Sequence, residues 1–355
     1  MKVLALTRYG PLGASSRMRT YQYLPGLRAE GIDVRVLPLL RDAYLHRLYS
    51  NEDTNWRWVA SDYLSRVSHL LRARRYDLLW IEKELFPNFP GMAERALQAC
   101  GIPYVVDYDD AIYHNYDLSR NWMKHILKQK IGKIMKNAAV VICGNEYLAE
   151  HARSAGARHV EIIPTVVDLD RYNLGQMAPR EYRVVGWIGM PATVRYLEHV
   201  APALKVISKE RSIQLRVIGA QFSSCGINTD CRPWTKEAEV GDIQDFDIGI
   251  MPLADSPWER GKCGYKLVQY MACGKPVIAS PVGMNRQIVQ QEVNGYLASN
   301  TEEWIASLRS LLADADLRRR MGIQGRAVVE QKYSLQVTTP RLAQLFHQLS
   351  HRKSV

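Results

Sequence analysis

Short apolar runs alternate with stretches of helical periodicity along this chain, and the alternation occurs twice, which leaves few folds open. The first half reads VLALTRY and a helix from Met18 to Glu30, VRVLPL and a helix from Trp58 to Arg74, LLWIE and a helix from Gly91 to Cys100, then YVVD, a basic helix, VVICG and a helix from Glu146. The pattern restarts after IIPTVVDLDRY with VVGWIG, LRVIGA, FDIGIMPL and PVIAS. Continuous apolar strands separated by helices build parallel sheets covered on both faces, so the fold class is α/β. At 355 residues the chain suits two domains of about 150 to 180 residues, each with its own core. The boundaries are expected at 1–169 and 183–333, with 170–182, which holds Gly175 and Pro179, as linker and 334–355 as a terminal helical segment.

Composition narrows the class further. Hydrophobic residues make up 47% and charged residues 23%, which are globular averages. No apolar stretch reaches the eighteen or so residues of a membrane span, and the N-terminus reads as a first strand and not a signal peptide, so the expected place is the cytoplasm. Six cysteines, at 100, 143, 225, 231, 263 and 273, have neither zinc-ligand spacing nor disulfide density, and free thiols are expected; Cys225 and Cys231 are close enough in sequence to meet. A formal net charge of +11 points to an anionic partner, which leaves nucleic acid, anionic lipid and a diphosphate substrate open. Between Asp117 and Glu146 there are six Lys or Arg and no acid. The segment Arg120–Lys136 either packs its apolar stripe inward with its lysines solvated or also lies on an anionic membrane surface.

Open parallel sheets bind ligands beyond the carboxyl ends of their strands, so the loops there are the places to search. The first runs from Gly10 through Gly13 to Arg17 and offers free N–H groups ahead of a helix; an ordinary βα turn fits it as well. Asp107, Asp109 and Asp110 crowd one loop after YVV, where mutual repulsion can poise a base for an acceptor hydroxyl, while helix capping and a metal site are the competing readings. The loop Gly189–Arg195 holds Thr193, a phosphate donor or a helix cap. In CGYKLVQYMACG, Lys262 and Lys266 lie four apart; on a helix beginning near Lys262 they share its first turn and can reach an anion, the plain alternative being a solvated face. Trp187, Trp234, Trp258 and Tyr265 can stack on a base or sugar, although such residues are more often core.

The segment GKCGYKLVQYMACGKPVIASPVG resembles the donor-binding segment of glycosyltransferase family 4, of the GT-B fold, in its Lys-x3-Lys branch. SSRMRTYQYLPGLRAEGI, VVDYDDAIY, and IIPTVVDLDRY followed by VGWIGMPATVRYL extend the resemblance over nearly the whole chain. It implies two Rossmann-like domains facing a central cleft, the N-terminal one for the acceptor and the C-terminal one for a nucleotide-sugar, with the helix Ser334–Ser350 returning to the first. It also implies a retaining transfer from a nucleotide diphosphate sugar, UDP favoured over GDP, to a hydroxyl of a glycan or lipid-linked acceptor. No protein nucleophile, metal or cofactor is then required.

Carried over residue by residue, the resemblance assigns donor contacts to Gly13, Arg17, Thr193, Arg195, Lys262, Lys266 and Gln269, and acceptor contacts to Arg19, Asp107, Asp109 and Asp110. Lys262, Lys266, Asp109 and Asp110 become the catalytic set. The sequence departs from the family in three places: Met190 replaces an arginine, Arg195 stands where a lysine is usual, and the usual Glu-x7-Glu falls on Gly261 and Gln269. The amide of Gln269 can still meet ribose hydroxyls. A nucleotide-sugar epimerase and a non-catalytic basic binding protein are the rival functions; no reader motif for nucleic acid is present. Attachment to the inner face of the cytoplasmic membrane is expected through 120–136.

Overall fold

The computed structural model describes residues 1–50, 52–53, 55–175 and 180–351. Residues 176–179 of the expected linker and 352–355 of the terminal segment lie outside the described residues. The chain divides into two compact units, Met1–Thr165 with Thr338–Val355, and Val166–Val337. Tyr172, read as linker, belongs to the second unit: it is buried, donates its hydroxyl to Glu239 at 2.5 Å and accepts the Gln269 amide at 2.7 Å.

In the first unit the strands are β1 (Lys2–Thr7), β2 (Asp33–Pro38), β3 (Leu78–Glu82), β4 (Tyr104–Tyr108), β5 (Val140–Cys143) and β6 (Val160–Ile162). They form one parallel sheet in the order β2-β1-β3-β4-β5-β6. The runs read as strands by their continuous apolar character are its centre, where β3, β4 and β5 are buried at every position. The helix Leu335–His351 places Thr338 on Tyr23 at 3.0 Å and Phe346 edge-on to Trp80, so its residues from Thr338 onward belong to this unit.

The second unit contains β7 (Arg183–Ile188), β8 (Ile213–Ile218), β9 (Thr229–Arg232), β10 (Ile248–Met251), β11 (Val277–Ala279) and β12 (Gly295–Leu297), all parallel, in the order β12-β11-β10-β7-β8-β9. Val185, Trp187, Leu215, Ile250 and Ile278 of these strands pack with Leu204 and Leu308 of the covering helices. Each sheet thus exposes the carboxyl ends of its strands as the place where polar loops gather.

Two expected helices are broken. The stretch from Met18 to Glu30 becomes the helices Ala14–Arg19 and Leu24–Ala29 around a short 3-10 turn, because Pro25 has no N–H to donate and fits only the first turn of a helix. The basic stretch 120–136 becomes Trp122–His125, opened by an Asn121 cap on Met123 N at 3.0 Å, and Lys130–Asn137. Lys130 is consequently buried, with Nζ 2.5 Å from Glu84 and 2.7 Å from the Phe86 carbonyl, and is removed from any surface role. No disulfide joins any of the six cysteines; the Cys231 thiol meets Phe222 O at 3.3 Å and Cys225 is exposed. Among the described residues no helix is long and apolar enough to cross a membrane, and no group of three or more His, Cys, Asp or Glu is arranged to hold a metal ion.

Candidate active site

In the second unit the two lysines come together differently from the expectation. Gly264 adopts a left-handed backbone, φ 66°, and the helix begins only after it, at Tyr265, so Lys266 is its second residue while Lys262 sits in the preceding loop. The ammonium of Lys266 lies 3.8 Å from the centroid of the Trp187 ring, at the carboxyl end of β7. Gly189 makes room for it: a Cβ there would fall 2.2 Å from Nζ and 2.5 Å from the indole. Tyr270, one helical turn on, fixes the helix to the sheet by accepting the Ile188 N–H at 3.0 Å.

No carboxylate or other acceptor engages Lys266 Nζ among the described residues. Burial, then the charge of Lys262, pushes its pKa well below the usual lysine range. The face of Trp187 acts the other way, because its quadrupole attracts a cation. A buried ammonium on an aromatic face with the charge of Lys262 acting on it is an arrangement that can attract a multiply charged anion.

Glu259, which sequence reading passed over, stands beside this loop. Burial alone would raise its carboxyl, but hydrogen bonds from Ser256 and Tyr196 and the charge of Lys262 hold it below the usual range. Ser256-x-x-Glu259 is a capping-box pattern, and that was the available signal. Tyr196 lies in the 3-10 segment Pro191–His199, so Glu259 ties the loop after β7 to the loop carrying Lys262.

The other donor candidates fare unequally. Thr193 turns its hydroxyl back onto the Met190 carbonyl at 3.0 Å and caps no helix. Arg195 is exposed with its guanidinium over Tyr196, 5.3 Å from the ring centroid. Gln269 is buried, and the amide nitrogen expected at a ribose is committed to Tyr172. In the first unit Gly13 is the N-cap residue of Ala14–Arg19, and Arg17 folds over its own loop onto the carbonyls of Pro11 and Leu12 at 3.1 and 3.4 Å.

Arg19 and Asp107, expected at an acceptor, are instead a buried pair. Arg19 Nε reaches Asp107 at 2.8 Å and Nη1 the Ile163 carbonyl at 2.8 Å; Trp80 donates to the other Asp107 oxygen at 3.4 Å. Burial raises the Asp107 carboxyl to about 6 even with Arg19 beside it. Both groups face the core, so they join β4 to the first helix and present nothing to a ligand.

Asp109 and Asp110 meet a residue the sequence reading missed. Lys83, directly after β3, holds a left-handed backbone, φ 65°, unusual for a side chain with a Cβ. Its Nζ lies 2.8 Å from Asp109, 3.8 Å from Asp110 and 2.9 Å from the Ser15 hydroxyl, which itself donates to Asp109. Burial opposes ionisation of Asp109, but Lys83 and Ser15 outweigh it and keep the carboxyl below its usual range. Glu82 accepts from Ser16 at 2.6 Å and from Arg8 N at 3.0 Å, and burial raises its own pKa. Residues 82 and 83 therefore bind the first glycine loop to the acidic loop, with Asp109 enclosed and Asp110 half-exposed.

With this geometry in place, comparison with known proteins gives a consistent result. The family described as glycosyl transferase 4-like domain matches residues 3–165, and that described as glycosyl transferases group 1 matches residues 183–314. A Bacillus subtilis (strain 168) protein named as a glycosyltransferase of teichuronic acid biosynthesis is 22% identical over 266 residues, 64% of this chain and 62% of that protein. A D-inositol 3-phosphate glycosyltransferase from Xylanimonas cellulosilytica is 26% identical over 148 residues, 39% of this chain and 34% of its own length. The chain thus spans less than two thirds of either relative. In fold it is similar to sucrose-phosphate synthase from Thermosynechococcus elongatus, TM-score 0.74 at 16% identity, covering 98% of this chain and 99% of that one. It is also similar to Anabaena HepE in complex with UDP and glucose, TM-score 0.69 at 15% identity, over 98% and 99% of the two chains.

Proposed function

The chain belongs to the glycosyltransferase 4-like family of GT-B type, and from that premise we propose that it transfers a sugar with retention from a nucleotide diphosphate sugar to a hydroxyl of a glycan or lipid-linked acceptor. The observation that carries the reading is Lys266, an ammonium on an indole face beside Lys262 with no carboxylate to neutralise it among the described residues. As the sugar departs, negative charge grows on the leaving diphosphate, and preorganised cations lower that barrier most because they need not reorganise during the reaction. Lys262 and Lys266 supply the charge in this proposal. Arg195, exposed on the loop after β7, assists at the outer edge.

The acceptor hydroxyl approaches from the face that the diphosphate vacates, so no protein nucleophile takes part. Asp110, the half-exposed carboxylate, meets the acceptor, while Asp109 acts through its ion pair with Lys83. UDP is the preferred nucleotide; the Anabaena relative of the same fold was crystallised with UDP. The enzyme works at the inner face of the cytoplasmic membrane; the attachment expected through 120–136 is narrowed to the exposed run 118–128, because Lys130, Ile131, Ile134 and Met135 are buried while Trp122 and Ile126 are 71% and 69% exposed among Arg120, Lys124 and Lys128. Calorimetry with UDP, GDP, ADP and their sugars tests the donor assignment: a UDP species is expected to bind tightest, and absence of binding by every nucleotide diphosphate overturns it.

A further inference from the structure

The helix Trp56–Leu70 covers the first unit's sheet with only part of its apolar surface. Val59, Tyr63, Arg66 and Leu70 turn inward, fully or partly buried. Beside that row runs a second one at spacings of four, four, three and four: Trp56, Ala60, Leu64, Val67 and, just past the helix end, Leu71. Such spacing places five residues within one narrow stripe roughly 22 Å long. Trp56, Leu64, Val67 and Leu71 are 71%, 72%, 47% and 82% exposed, an unusual concentration for one face of a soluble helix.

The charge around the stripe is one-sided. Arg57, Arg72, Arg74 and Arg75 are exposed along and beyond it. The guanidinium of Arg57 lies over Trp56, and those of Arg41 and Arg47 lie over Trp58, at 5.7 to 5.9 Å. Of the nearby acids, Asp62 holds Arg41 and Glu52 pairs with Arg47 at 3.4 Å, while Asp53 is exposed. The inward row of the same helix connects to the exposed segment 118–128 through a chain of contacts. Tyr63 packs on Phe89 with centroids 5.6 Å apart, Asn88 N donates to the Tyr116 hydroxyl at 3.1 Å, and Tyr116 lies in the helix that leads into Leu118.

We infer that the outer face of helix Trp56–Leu70 is a docking surface for an anionic lipid bilayer. This deepens the membrane reading of 118–128 and rests on it for the nature of the partner. Individually protruding aliphatic and indole side chains suit insertion into a fluid headgroup layer, where arginine stems remain at the surface with their charges on lipid phosphates. A second copy of the chain is a poorer occupant, because a two-fold contact would set this arginine-rich face against itself.

The test is co-sedimentation of the full chain with vesicles of phosphatidylcholine with and without phosphatidylglycerol. Three proteins are compared: the parent, L64D/L71D, and W122A/I126D, all changed only at exposed positions, with melting temperature as a folding control. Binding is expected on the phosphatidylglycerol vesicles, weakened by salt and reduced about tenfold in L64D/L71D. If L64D/L71D partitions like the parent while W122A/I126D is lost, this inference fails and the reading of 118–128 stands. If neither parent nor variant discriminates between the vesicles, both fail. A concentration-dependent dimer in analytical ultracentrifugation, abolished by L64D/L71D, assigns the face to self-association and overturns the proposal.

Discussion

Replacing Lys266 with methionine takes the ammonium off the Trp187 face while keeping an unbranched apolar stem over the ring. The effect on stability follows from the sign of the pKa shift. In the folded protein the group titrates below its unfolded value, so the unfolded chain holds more protons between the two. The penalty is therefore full below the folded pKa, fades as pH rises through that window, and is gone above about 10.4, where both states are neutral. Loss of the cation–π contact, about 0.5 to 2 kcal/mol, opposes the relief. At neutral pH the K266M protein should accordingly melt within a few degrees of the parent. Binding responds quite differently. A unit charge pair at about 4 Å and an effective dielectric near 20 contributes about 4 kcal/mol, of which desolvation removes up to about half. Nucleotide diphosphate affinity should then fall by roughly 30-fold to roughly 900-fold. Bound phosphate also raises the lysine pKa, so binding takes up a proton where the free group is partly neutral, and affinity declines as pH rises through the free-state value. Calorimetry in two buffers of unequal ionisation enthalpy reads both quantities. Affinities of K266M and parent within about threefold of each other, or identical proton uptake in the two proteins, would refute the role assigned to Lys266.

Two other perturbations address the geometry around the charges. Lys83→Met leaves Asp109 enclosed without its cation, which should destabilise the fold by about 3 to 5 kcal/mol in denaturant unfolding. Since the Asp109 pKa is depressed, its stabilising contribution in the parent is present above the unfolded value and lost as pH falls through the folded one; K83M should lose that acid dependence, and an unchanged stability profile counts against the cluster. Gly189→Ala places a methyl 2.2 Å from Lys266 Nζ and 2.5 Å from Trp187, so it should cost about 1 to 3 kcal/mol of stability and weaken nucleotide binding as well, whereas loss of stability alone separates Gly189 from the anion site.

How much of this was visible in the sequence depends on how far each residue's partner lies along the chain. Strands β3, β4, β5, β7 and β10 were legible because a strand buried on both faces is a nearly continuous apolar run, interrupted only near its ends by Glu82, Asp107 and Arg183. The outer strands β6, β9 and β12 were not, since three or four half-exposed or mixed residues leave no period to read. Proline-driven breaks were in principle readable, and Pro25 shows that a continuous helical pattern is a weak argument against a residue lacking an N–H.

The charged loops obey a harsher rule, set by how far apart in the chain the partners of each charge lie. Lys262 and Lys266 are near each other in sequence and remain near each other in space, because only the left-handed turn at Gly264 intervenes. Arg19 and Asp107 are 88 positions apart, and each alone looked like a ligand contact; the ion pair that turns both inward exists only once β4 is laid beside β3 and the first helix closes over them. Lys83 was hidden for the converse reason. Glu-Lys-Glu after an apolar strand reads as a solvated strand end, yet a positive φ at Lys83 and its reach to Ser15 and Asp109 make it the joint between two loops. A charge at the carboxyl end of a parallel strand is thus ambiguous by itself: where a distant opposite charge answers it, burial turns it into structure, and where none does, as at Lys266, the fold retains an electrostatic penalty, which in the proposed role of this lysine a bound anion relieves.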